Sequence, residues 1–164
     1  MASRLASVPV DALIPSGLVR PIPLPERDEW SMNPMIFVNL PVKDLGRATT
    51  FYQELGFTRN PQFSDENASC MVISDAIYVM LLVEPFFSTF TTKPVADATR
   101  STETILALSA EDRAAVDRLA DAALAAGGVS DTETMDEGSM YLRGFQDLDG
   151  HQWEVTWMDM SAAQ

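Results

Sequence analysis

The stretch MIFVNLPVKDLGRATTFYQELGF, residues 35–57, decides the fold. Met35 to Val42 is apolar and β-branched, which predicts a strand ending at Pro41. Asp44 then offers an oxygen to the open N–H groups of a helix start. Leu45, Ala48, Phe51, Tyr52 and Leu55 recur at spacings of three and four, the stripe of an amphipathic helix, and Gly56 stops it. A strand followed by a helix on one of its faces is the opening of a mixed α and β unit.

Downstream, strands are expected at 58–63, 68–73 and 77–83, separated by Ser, Asp and Asn turns, so the first unit reads βαβββ. A crossover over 85–102 carries Phe86, Phe87 and Phe90, three aromatics suited to covering an open sheet side. The pattern then repeats. A strand at 104–108 precedes Ser109-Ala-Glu-Asp112, which resembles a capping box, and Val116, Leu119, Ala120 and Ala123 form a helix stripe ended by Gly127-Gly128. Strands at 129–135, 140–145 and 151–158 complete a second βαβββ, the last two joined by Asp147-Leu-Asp-Gly150. The expected fold is α+β: two βαβββ modules, about 35–84 and 103–159, forming a curved mixed sheet with a central cup, in one domain spanning 34–160. The first 33 residues hold five of the ten prolines and are set apart as an apolar, proline-rich arm.

Composition narrows the function. Eleven basic and 24 acidic residues give a net charge of −13, which repels nucleic acid phosphates and anionic lipid surfaces. The single cysteine, Cys70, rules out an intrachain disulfide, sits in an apolar run as an inert thiol, and fits a reducing, cytoplasmic setting. The uncharged stretch Leu5 to Val10 is too short for a signal-peptide core, and no run approaches the ~20 apolar residues needed to cross a bilayer. No glycine-rich phosphate loop follows a strand, and no serine stands in a nucleophile-elbow context.

Two segments carry a resemblance. Leu40-Pro-Val-Lys-Asp-Leu45, continued by Phe51-Tyr52 and Leu55-Gly56-Phe57, and the closing Phe145-Gln-Asp-Leu-Asp-Gly-His-Gln-Trp-Glu154 resemble the start and end of domains of the glyoxalase, bleomycin-resistance and extradiol-dioxygenase (vicinal oxygen chelate) superfamily. Within it, the chain looks most like a bacterial subgroup labelled predicted lactoylglutathione lyase. The resemblance implies a small-molecule ligand, a homodimer, and a divalent metal held by His, Glu or Gln at four strand positions. Those positions fall near Phe37, Leu81, Ile105 and on Glu154. Only Glu154 can ligate, and His151 is the one histidine in the chain, so a site of two histidines and a carboxylate cannot be built in one copy. An oxygen site from Glu154, Asn39 and Glu103 is the remaining option. No cofactor is therefore expected, although a metal-dependent lyase and an antibiotic-sequestering protein stand as alternatives to a metal-free binding module with residual isomerase or lyase chemistry.

Strand alternation sorts the faces. Val38, Leu40 and Val42 face the helix while Phe37, Asn39 and Pro41 face the cup; Trp153, Val155 and Trp157 turn helixward, leaving Glu154 and Thr156 inward. Glu154 is the candidate base for a proton α to a carbonyl, or else pairs with Arg143. Asn39 is a ligand contact or a structural link. Tyr141 and Arg143 offer a phenol and a guanidinium to a ligand, or pair on the surface. Phe37, Leu81 and Ile105 are expected to line the cup, with Met71, Met80 and Met158 as pliable lining or core, and His151 sits at the rim.

Overall fold

In the computed structural model, residues 34–130 and 132–163 are described; the arm expected over residues 1–33 lies outside them. The chain begins with β1 (Ile36–Val42) and α1 (Leu45–Glu54), whose first turn is capped by the Asp44 carboxylate accepting from the Arg47 N–H at 2.9 Å. Gly56, at φ 93°, turns the chain out of the helix. Then come β2 (Thr58–Asn60), β3 (Ala68–Val72), β4 (Ile77–Val83) and the single-turn helix α2 (Glu84–Phe87). The second module consists of β5 (Ile105–Ser109), α3 (Arg113–Ala125), β6 (Met135–Asp136), β7 (Met140–Gln146) and β8 (Gln152–Met158). This is the α+β duplication of βαβββ. Each module has its own four-stranded mixed sheet, ordered β1-β4-β3-β2 and β5-β8-β7-β6, with β1 parallel to β4 and β5 parallel to β8. Among the described residues no helix is long and apolar enough to cross a membrane.

Three local expectations are corrected. β2 ends at Asn60 rather than at residue 63, because Pro61 has no N–H for a ladder; Pro61–Phe63 is a 3-10 turn capped by the Asn60 side chain. The cap of α3 is Asp112 itself, accepting from the Ala115 N–H at 2.6 Å, while Ser109 ends β5. The strand expected at 129–135 shrinks to Met135–Asp136 plus a lone bridge from Val129 to Gln146. Between them Thr132 places its hydroxyl 2.5 Å from where a Cβ on Gly144 would stand, so this segment lies across β7 instead of beside it.

One core joins the modules. Leu40, Val42, Val79 and Leu81 are buried beneath Ala48, Phe51 and Tyr52 of α1, and Trp153 and Val155 beneath Val116, Ala120 and Ala123 of α3. Rings cross the seam, with Tyr52 to Trp153 at 5.9 Å and Phe51 to Phe145 at 6.4 Å. At its centre the fully buried Tyr52 hydroxyl donates to Asp147 Oδ2 at 2.5 Å and accepts from Trp153 Nε1 at 3.1 Å. Asp147 Oδ1 accepts from the N–H groups of Asp149 and His151, at 3.0 and 2.9 Å, which shapes the turn between β7 and β8. Two more bonds cross the seam: Asp149 Oδ1 accepts from the Lys43 N–H at 3.0 Å, and the His151 ring donates through Nε2 to the Pro41 carbonyl at 2.8 Å.

Burial pushes the Asp147 carboxyl above the usual range, against the pull of His151 and its hydrogen bonds, and burial beside that carboxylate holds the Tyr52 phenol well above its ordinary value. The pair works as a neutral donor on a buried acceptor. A hydrogen bond to a charged acceptor contributes about 1.5–3 kcal/mol net. Tyr52→Phe is expected to lower unfolding free energy by about 2 kcal/mol in urea titration, with the slope of the transition unchanged.

Candidate functional site

The backbone from Thr91 to Thr104, between the 3-10 turn Ser88–Phe90 and β5, has no regular structure. It is shaped locally: the Asp97 carboxylate accepts from Thr99 at both its N–H (3.1 Å) and hydroxyl (2.6 Å), which holds that carboxyl below its usual range. It is also pressed onto the β7–β8 turn. Gly150 has φ 92°, and a Cβ there would lie 2.8 Å from the Thr99 nitrogen, so only glycine admits this approach. Under this crossover lies a cavity of about 370 Å³. Asn39 and Pro41 come to it from β1, Phe87 from α2, Val95 from the crossover, Leu106 from β5, and His151 and Gln152 from the start of β8, with Lys93 and Glu103 contributing the charges. Apolar walls with a few placed polar groups are the usual make-up of a small-molecule site.

Of the residues singled out in the sequence, Asn39 lines this cavity; it is exposed, and its Nδ2 donates to the Phe37 carbonyl at 3.4 Å. Phe37 is 46% exposed on the open face of the first sheet, its ring stacked on Tyr78 at 4.8 Å. Ile105 is 51% exposed at the start of β5. Glu154 is half-buried on the open face of β8, in register with Ala107 and Gly144; its side chain makes no hydrogen bond or ion pair among the described residues and does not line the cavity. His151 does line it, as does Glu103. Of the crossover aromatics, Phe87 lines the cavity, while Phe86 and Phe90 meet edge to face at 5.2 Å and Phe90 is largely exposed. Met71 belongs to the core and Met158 is exposed.

One placement differs from expectation. Leu81 is fully buried under α1, because it pairs with Leu40 across the parallel ladder and shares its helix-facing side; the open-face neighbour on β4 is Met80, opposite Asn39. Tyr141 and Arg143 take the pairing alternative rather than the ligand one, turned helixward on the parity of the buried Phe145. Tyr141 donates to Asp117 at 2.9 Å, and Arg143 spans Asp117 and Asp121 of α3 at 2.9 and 2.8 Å. A pair between Arg143 and Glu154 is thereby excluded, since they stand on opposite faces of one sheet. The crossover residues Lys93 and Val95 carried no sequence signal, for an irregular segment has no periodicity to read.

A family model described as bleomycin resistance protein-like N-terminal matches residues 35–74. The fold matches many solved structures. A hypothetical protein from S. aureus is 27% identical, with 79% of this chain and 98% of that one aligned at a TM-score of 0.66. A glyoxalase/bleomycin resistance protein/dioxygenase family enzyme from Burkholderia phytofirmans (15% identity, 74% and 96% coverage, TM-score 0.63) shares the fold. So does a fosfomycin resistance protein from Mesorhizobium loti (16%, 80% and 98%, 0.60). The family match covers the opening of the first module, and the solved structures share the fold that the glyoxalase and bleomycin-resistance resemblance implies. No curated protein matches its sequence.

The metal that the superfamily resemblance implies can be tested against the side chains at its four corners. Phe37 and Ile105 are hydrocarbon on the open faces, and Leu81 is in the core. The neighbouring open-face positions, Asn39, Met80 and Ala107, add one amide oxygen and one thioether. Among the described residues no group of three or more His, Cys, Asp and Glu side chains converges. Of the oxygen option Glu154, Asn39 and Glu103, Asn39 and Glu103 line the cavity and Glu154 does not, and a divalent cation takes four or more N, O or S donors, so the residues at these corners do not fit the group.

Hydrogen bonds from Arg143 and Tyr141 hold the Asp117 carboxyl below its usual range. A carboxyl with a lowered folded value contributes stability that is complete above its unfolded value of about 3.9 and is lost as pH falls through the folded one. In thermal scans of wild type and Asp117→Asn, the gap in Tm is expected to be widest above about pH 5 and to narrow as pH falls through and below the usual carboxylate range.

Proposed function

We propose that this protein binds a small organic molecule in the cavity beneath the crossover and does so without a resident catalytic metal. The observation that carries the reading is the cavity itself: about 370 Å³, walled by Phe87, Val95, Pro41 and Leu106, with amide, imidazole and charged groups at discrete points. The poor donor set at the superfamily's metal corners supports the metal-free half. Residual isomerase or lyase chemistry centres on Glu154. Gln152 lines the cavity, and Glu154 is the next residue on the same face of β8, about 7 Å further along the strand, so a ligand extending from the cavity brings a proton α to its carbonyl to an unpaired carboxylate. A homodimer belongs to the same reading, because Met35, Ile36, Phe37, Ile105 and Met158 leave apolar surface on or beside the open sheet faces, which a second copy would cover.

Val95→Trp fills the cavity from a partly exposed loop position. A thermal-shift screen of a fragment library is expected to give hits on the wild type that vanish in this variant; hits unaffected by it overturn the cavity as the site. Elemental analysis after growth with Ni, Zn, Co and Mn is expected to find less than one metal per chain, and stoichiometric metal together with turnover of a hemithioacetal would overturn the metal-free reading. Sedimentation equilibrium is expected to show a dimer that Phe37→Glu weakens; a monomeric wild type removes the dimer.

A further inference from the structure

The cavity holds two opposite charges that do not satisfy one another. Lys93 and Glu103 both line it, yet among the described residues the Lys93 ammonium and the Glu103 carboxylate make no ion pair with each other or with any other group, and no side-chain hydrogen bond. Both residues are exposed, whereas Phe87, Val95 and Leu106 are half-buried, so the charges mark the mouth and the hydrocarbon marks the interior. Asn39 adds an amide to the lining. The one histidine is already spent, its Nε2–H held by the Pro41 carbonyl.

Each simple ligand charge meets one group of the wrong sign. A plain anion faces Glu103 and a chain of net charge −13; a plain cation faces Lys93; a neutral molecule forms an ion pair with neither. A zwitterion answers both, with its carboxylate on Lys93 and its ammonium on Glu103, and charge-assisted hydrogen bonds are the strong ones. At roughly 30 Å³ per water-sized group, the volume takes about a dozen non-hydrogen atoms. Building on the reading of the cavity as the ligand site, we propose that its ligand class is a free α-amino acid with an apolar side chain. The head group sits at the mouth between Lys93 and Glu103, and the side chain lies against Phe87, Val95 and Leu106.

The test is isothermal titration calorimetry of the full chain at low ionic strength. L-phenylalanine and L-leucine are compared with their N-acetyl forms (carboxylate only), their amides (ammonium only) and their doubly blocked forms (neither charge). The free amino acid is expected to bind at least about tenfold more tightly than each blocked form. Lys93→Met is expected to erase its advantage over the amide, and Glu103→Gln its advantage over the N-acetyl form. Both positions are exposed, so circular dichroism is expected to show unchanged folding. If the doubly blocked compounds bind as tightly as the free amino acids, the zwitterion proposal falls while the cavity stands. If neither amino acid binds, the proposal also falls, and the response of the fragment hits to Val95→Trp decides separately whether the cavity is a site at all.

Discussion

A buried carboxylate has to be satisfied from within the protein, and the rest of this structure is arranged around that requirement at Asp147. Its oxygens take the Tyr52 phenol from one module and two N–H groups of the β7–β8 turn from the other. A carboxylate so far from water is costly unless donors reach both its oxygens, and three donors from two modules do so. The bond therefore fixes both module docking and turn geometry. Gly150 and His151 are part of that turn; one receives the crossover backbone and the other bonds the end of β1. The cavity between crossover and sheets inherits its shape from a side chain that does not touch it.

The fold was legible where the signal is local. Asp44 as a cap, Gly56 as a stop and the stripe Ala48, Phe51 and Tyr52 depend on residues within a few positions of each other, and α1 formed where they place it. Sheet edges were less legible. Whether residues 129–135 pair with β7 depends on the space beside Gly144, a tertiary fact, and the end of β2 turned on the missing N–H of Pro61. Ser109 looked like a cap because its spacing to Asp112 is right, but a residue still paired in β5 cannot also leave the ladder to cap a helix.

The candidate site was legible only in part. Parity along single strands was read correctly for β1 and β8, which put Phe37, Asn39 and Glu154 on open faces. It was not extended across ladders. The pairing of Leu81 with Leu40, and the common parity of Tyr141, Arg143 and Phe145, send three proposed ligand contacts into the core or onto α3. Such relations need register, which no single segment contains. The crossover was harder still, since Lys93, Val95 and Glu103 belong to no repeating pattern and come together only because Asp97 and Gly150 bend and seat the backbone between them.

The two halves of the duplication are not interchangeable. Tyr52 stands eight residues after its helix cap Asp44, and Ala120 stands eight after Asp112, both buried at the same point of their helices. Only the first carries a phenol, and only the second half carries the acidic turn that receives it. The two halves are therefore lock and key to one another. A chain made of two first halves, or of two second halves, would keep the architecture of each unit and lose the reason for them to stay together.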